Sequence, residues 1–190
     1  CTEYITATHE RRLEIENNAK QYILGLLKFC RTDTRIPSAC RTSCASYGFD
    51  SAEYEASGNF PTQLYVREGR RMVGDFVLKQ SEVQFVNAHT DIIGQAYYEI
   101  DSHHARRILV AGKVKNEGRL AIAPYIGANI PMRVLFPKAT ECENVMPTFG
   151  TSCSHVAFCS LRMEPLSMMF GEAAAHIAAW QKVTGKRVKS

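Results

Sequence analysis

The sequence predicts an α+β protein, with helices first, a mostly antiparallel β layer in the middle, and a C-terminal strand and helix. Three observations carry this. Apolar residues recur at helical spacing between Glu10 and Cys30. Short apolar runs, separated by Gly, Asn and charged clusters, fill the middle of the chain. A long helical pattern then begins at Pro165 and meets a stop at Gly185. With 190 residues, 45% hydrophobic and 22% charged, the chain can bury a core and reads as an ordinary globular protein.

In the first helix Ile15, Ala19, Tyr22, Ile23, Leu26, Leu27 and Cys30 form one stripe, opposite Arg11, Arg12, Glu16 and Lys20. Pro37 suits the first turn of a second helix reaching about Tyr47, with Gly48 placed to end it. Asp50 and Glu53 are spaced as a capping box, and Gly58 to Pro61 reads as a turn. Residues 1–62 therefore make a helical segment, read as scaffold or lid. Strand candidates follow at Leu64–Val66, Val83–Val86, Ala96–Ile100, Ile108–Ala111, Leu120–Ile126 and Met132–Phe136, making residues 63–140 a β-rich region. Their pairing order is not legible in the sequence.

Residues 141–190 read as a strand at Asn144–Phe149, a small-residue turn at Gly150–His155, and the long helix. Pro147 requires an edge or a bulge in that strand. Along the helix Gly171, Ala174, Ala175 and Ala178 form a strip of very small side chains. Such a strip admits a flat ligand or a neighbouring backbone, although plain helix-on-sheet packing is the simpler account.

A net charge of +4 is modest, and the one basic cluster, Lys182 to Lys189, reads as a solvated helix end; no nucleic-acid partner is expected. No apolar run approaches the ~20 residues of a membrane span, so no membrane partner is expected either. The chain opens on Cys1 with no initiator Met, so its true N-terminus and any targeting information are expected upstream. The 7 cysteines include no C-x-x-C and no zinc-ribbon spacing; they read as buried, reduced thiols, and no metal site is expected.

No G-x-G-x-x-G occurs, and no two glycines are separated by a single residue, so the fingerprint that brings backbone against a pyrophosphate is absent from these residues. Gly69 and Gly74 have P-loop spacing, but Asp75 and Phe76 stand where Lys and Ser/Thr are needed. G-x-S-x-G and H-E-x-x-H are absent. The strongest polar cluster is Asp101-Ser102-His103-His104. An imidazole pair beside a carboxylate can relay protons or hold a substrate oxygen, though adjacent histidines in a strand face opposite sides. Thr151 to His155 places a Cys and a His two residues apart, a weak signal without tertiary proximity.

Several strings resemble one family in the same order. They are Leu64 to Met72, Asp101 to His104, Pro131 to Lys138, Glu141 to Val145, Ser152 to Phe158 and Ser160 to Pro165, followed by the helix with Met168, Met169, Gly171, Ala173 and Ala174. Together, over roughly Ile15 to Trp180, they are similar to the FAD-dependent oxidoreductases often labelled "xanthan lyase-like". The resemblance implies a glutathione-reductase-like flavoprotein. An N-terminal Rossmann half binds the ADP of FAD, a β-rich part covers the flavin, and a C-terminal strand and helix complete the FAD domain. It implies His103, His104 and Arg67 as catalytic or substrate-binding candidates for a small organic substrate. It implies His155 near the flavin ring, with Arg162, Met163, Glu164, Pro165, Ser167 and Met168 forming the helix start at its anionic edge.

One departure is large. The Rossmann half is missing, so the expectation is a C-terminal fragment that contributes the flavin side of a site and needs that half as partner. FAD binding by these residues alone is then doubtful. The competing reading is a non-catalytic binding module that retains the cap fold.

Overall fold

The computed structural model describes residues 3–85, 88–123 and 127–188. Contacts divide the chain into two compact units, Cys1–Val66 and Arg67–Ser190.

The first unit is helical. Helix α1 spans His9–Thr32, opened by Thr8, whose hydroxyl accepts a hydrogen bond from Arg11 N at 3.3 Å. Helix α2, Ser38–Ala45, packs on α1, and Arg31 donates from Nε to the Cys44 carbonyl at 3.1 Å. Pro37 is the N-cap of α2 and not its first helical residue, and the helix stops at Ala45, short of Tyr47. The predicted stripe on α1 does not make a core. Ile15 is the only buried residue among the described residues of this unit, while Tyr22, Ile23 and Leu26 are exposed. Asp50 accepts from Ala52 N at 2.9 Å in a local turn, and the third element is a 3₁₀ turn at Glu55–Ser57.

The second unit is built on a long antiparallel ribbon whose pairs nest. Strand β1 (Ile92–Ala96) pairs with β6 (Ala128–Pro131), β2 (Ile100–Ser102) with β5 (Leu120–Ile122), and β3 (Arg106–Val110) with β4 (Lys113–Glu117). The tip is a two-residue turn with φ of 49° at Ala111 and 71° at Gly112, the doubly left-handed geometry that matches strand twist. Burial falls along the ribbon. Ala96, Ala128 and Ile130 at its base are buried, whereas β4 is exposed throughout.

Helices α3 (Gln80–Gln84) and α5 (Glu164–Thr184) pack against β6 and β1 at the base, and α4 (His155–Leu161) packs against β2 and α3. Leu78, Ile100, Ile130, Leu135, Phe158 and Phe170 are fully buried here in one cluster. Gly185, at φ 67°, ends α5 as its sequence position predicts.

Through this core runs Gly150–Ser154, held on both sides by backbone. Ser152 N donates to the Val134 carbonyl at 2.8 Å, and the Ser152 carbonyl accepts from Leu78 N at 3.1 Å. Its hydroxyl accepts from Gly74 N at 2.9 Å and donates to the Phe76 carbonyl at 2.5 Å. Every polar group of this fully buried residue is thereby satisfied. Gly74 is glycine for a steric reason: a Cβ there would lie 2.3 Å from the Phe136 carbonyl oxygen.

Several sequence expectations change. The Ala96–Ile100 strand candidate falls on the break between β1, which ends at Ala96, and β2, which begins at Ile100, and of Leu120–Ile126 only Leu120–Ile122 is strand, residues 124–126 lying outside the described residues. Val83 lies in α3 and not in a strand (Val86 lies outside the described residues), because Glu82 reaches back to accept from Lys79 N at 2.9 Å and closes a helical turn. Met132–Leu135 is a 3₁₀ turn following Pro131. Leu64–Val66 and Asn144–Phe149 form no strand. The Ser152–Phe158 string contains the start of an unread helix, α4, whose residues from Ala157 onward are all buried, so it has no polar face to give a period. The small strip on α5 is not a close-packing face among the described residues. Ala175 and Ala178 are exposed, and a Cβ on Gly171 would meet nothing within 4 Å. No helix is long and apolar enough to cross a membrane among the described residues.

Replacing Ser152 with Ala leaves Gly74 N and the Phe76 carbonyl without partners inside the core. At about 1–3 kcal/mol for a buried unsatisfied group, the expected loss is at least ~2 kcal/mol. Urea unfolding of Ser152→Ala against the parent chain measures it.

Candidate functional site

Where β2 ends at Ser102 and β3 begins at Arg106, the ribbon is irregular, and opposite it lies the β4–β5 link. Ser102 Oγ crosses to the Gly118 carbonyl at 3.1 Å, and Ala105 N donates to the Glu117 carbonyl at 2.8 Å. The gap is a cleft of about 320 Å³ lined by Glu99, Asp101, Ser102, His103, His104 and Arg119. Because the histidines fall in the link and not in a strand, both line this one cleft, contrary to the opposite-face expectation.

Asp101 ties the cleft to the core. Its Oδ2 accepts from the Tyr98 hydroxyl at 3.1 Å and lies 3.4 Å from His103 Nε2. Its carbonyl accepts from Arg162 NH2 at 2.9 Å, and the same guanidinium nitrogen lies 3.7 Å from Oδ2. The hydrogen bond to Asp101, with burial adding to it, raises the Tyr98 phenol above its ordinary value. Ser160 of α4 donates to the Tyr98 carbonyl at 2.6 Å, so side chains of α4 and its C-cap hold the backbone at β2 and just before it.

Arg162 stands at the C-cap of α4, immediately before α5, with its side chain 5% exposed. Its buried Nε has no hydrogen-bond partner among the described residues. Met163 is the N-cap of α5 and supplies no side-chain hydrogen bond to the helix start, and Pro165 stands in the first turn. Glu164, Pro165 and Met168 are exposed there, Met163 and Ser167 half-buried. The start of a 21-residue helix is thus open, with a buried cation behind it.

The other sequence-predicted residues fall elsewhere. Arg67 is exposed on the irregular segment entering this unit and does not line the cleft. His155 opens α4, and its Nδ1 lies 2.5 Å from Glu68 Oε2. Glu172 and His176 approach to 3.9 Å on the exposed face of α5. Sequence reasoning missed Tyr98, Ser160 and Arg119 as site residues. Arg119 reaches the cleft only through the pairing of β2 with β5, which no local pattern announces.

Two thiols beneath this region are perturbed. Burial pushes Cys153 up to about 12. Burial, with the Glu68 carboxylate beside it, pushes Cys159 up to about 11.

An α+β ribbon protein, with a histidine-lined cleft beside an open, cation-backed helix start, is the class that fold and site define. The model of the family described as FAD dependent oxidoreductase matches residues 1–190, and the chain belongs to that family. No curated protein and no solved structure matches the chain.

The thiols set a pH dependence. Above about pH 9 an unfolded chain releases protons that folded Cys153 and Cys159 retain. The unfolded state then binds fewer protons, so stability is full below pH 9 and falls as pH rises towards 11–12. The urea midpoint is expected to drop between about pH 9 and pH 11, and Cys153→Ala flattens that drop.

Proposed function

We propose that this chain supplies the flavin-facing and substrate-facing parts of an FAD-dependent oxidoreductase acting on a small organic substrate, of the "xanthan lyase-like" kind that its strings resemble. The single observation that carries the reading is buried Arg162, with an unpaired Nε, at the open start of α5. A buried cation and the positive end of a helix dipole both favour negative charge, and the electron-rich carbonyl edge of a flavin has that character. The residues present therefore fit the flavin end of FAD. They do not fit its pyrophosphate, because no glycine-rich fingerprint occurs in the sequence. The nucleotide-binding half is accordingly assigned to residues outside these 190.

Bound FAD supplies the two-electron chemistry. The chain's own side chains hold and orient the partner molecule. Asp101 fixes the His103 ring through Nε2, which leaves Nδ1 to exchange a proton with a substrate hydroxyl or amine. Ser102, His104 and Arg119 line the same cleft and orient polar groups of the substrate. Tyr98 and Ser160 act through Asp101 and the β2 backbone, as positioning residues.

The test uses the product of the complete reading frame, purified without added flavin. It is expected to be yellow and to release FAD on acid denaturation, while Arg162→Gln retains less than about one tenth of that flavin with an unchanged far-ultraviolet spectrum, the loss of ~1.4 kcal/mol or more per tenfold. A colourless, folded product that takes up no added FAD refutes the reading. His103→Ala in the flavin-loaded protein is expected to slow substrate-dependent flavin reduction by ~10²-fold, the size of a proton-transfer contribution, with flavin content unchanged. Stopped-flow absorbance measures it.

A further inference from the structure

Outside the cleft, three side chains of differing chemistry converge on one point. His155 and Cys159 are four residues apart on α4, so both project from one face of the helix. Glu68, 91 residues from Cys159 in sequence, meets them from the segment that enters the unit. Glu68 Oε2 lies 2.5 Å from His155 Nδ1, and Cys159 Sγ lies 3.6 Å from Glu68 Oε1. One ligand atom from each of the three lies within 4.8 Å of the others.

We propose that Glu68, His155 and Cys159 form a three-ligand site for a borderline divalent cation of the Zn²⁺ class. Carboxylate, imidazole and thiolate together are the donor set that such a cation takes, at about 2.0–2.3 Å from each atom, with water at the fourth tetrahedral position. The spacing suits it. Ligand atoms around one tetrahedral ion of that bond length stand roughly 3.3–3.8 Å apart, so the site closes with shifts of about 1 Å. Hard cations that demand all-oxygen shells are disfavoured by the thiol and the imidazole.

The site also answers an electrostatic problem. The Cys159 thiol is buried and faces the Glu68 carboxylate, and both make its ionisation costlier. One divalent charge between them reverses the sign of that interaction. Binding releases one proton, from the Cys159 thiol to solvent, as the S–H bond is exchanged for a metal–sulfur bond. The imidazole proton moves to Nε2, which leaves Nδ1 as ligand. The Cys159 thiol, which in the metal-free chain donates to the His155 carbonyl at 3.4 Å, gives up that bond. His155 is 57% exposed at its side chain, which gives the ion a path from solvent. This inference does not rest on the flavin reading and involves none of the cleft residues.

The experiment titrates the chelator-stripped chain with Co²⁺ followed by absorbance, then displaces it with Zn²⁺. One equivalent is expected, with intense visible bands of tetrahedral Co²⁺ and a near-ultraviolet thiolate charge-transfer band. Cys159→Ser is expected to abolish the charge-transfer band, and Glu68→Gln to weaken binding at least tenfold. His155→Ala, at a half-exposed position where the fold is least at risk, is expected to weaken it by a similar factor, with the far-ultraviolet spectrum confirming the fold. Binding unchanged in all three variants assigns the metal to other thiols such as Cys40 and overturns the proposal. So does the absence of any uptake, which leaves Glu68 and His155 as an ordinary ion pair at a helix start.

Discussion

The second unit depends on one satisfied serine. Ser152 lies in an extended segment that must pass between two other stretches of backbone with no room for water, so its polar groups have to be matched inside the protein. They are matched by Val134 on one side and by Gly74, Phe76 and Leu78 on the other. That arrangement sets where α4 begins, because Ser154, two residues on, caps it by accepting from Ala157 N at 3.2 Å. The start of α4 in turn fixes the height of Ser160 and Arg162 against β2.

The core and the cleft are therefore mechanically linked. Asp101 receives Arg162 from the helix junction through its carbonyl and Tyr98 and His103 through its carboxylate. A second clamp steadies the base of the ribbon. Arg133 grips Asp91 with Nε at 2.9 Å and NH2 at 3.2 Å, and lies over the Phe76 ring at 4.5 Å. Burial alone would raise the Asp91 carboxyl, but the Arg133 hydrogen bonds outweigh it and hold the group below its ordinary value.

What the sequence revealed follows from which signals are local. The α+β class, α1 and the span of α5 from Pro165 to Gly185 were legible because periodicity and capping act within a few residues. Helix α4 was not, since a short helix buried along most of its length carries no alternation of polar and apolar faces. The histidine pair was legible as a cluster, but its sharing of one cleft was not. That depends on where β2 stops, and β2 stops where its partner β5 does. Glu68 meeting His155 and Cys159 is the extreme case, a constellation assembled across the whole unit. The apolar stripe on α1 shows the reverse error: the helix forms as its period predicts, and yet the stripe makes no core, with Tyr22, Ile23 and Leu26 exposed.

The nesting of the ribbon also fixes an order of events in time. Each strand pair closes a larger loop than the one inside it, from the two-residue turn at Ala111–Gly112 out to the β1–β6 pair. Loop-closure entropy grows with loop length, so the ribbon is cheapest to zip from its tip downward. The tip, exposed on both strands, is the fast and weakly stable end; the base, which buries Ala96, Ala128 and Ile130, closes last and holds the ribbon shut. Nucleation and retention thus reside at opposite ends of one hairpin, and the histidine cleft lies between them, on the stretch that forms after the first and opens before the second.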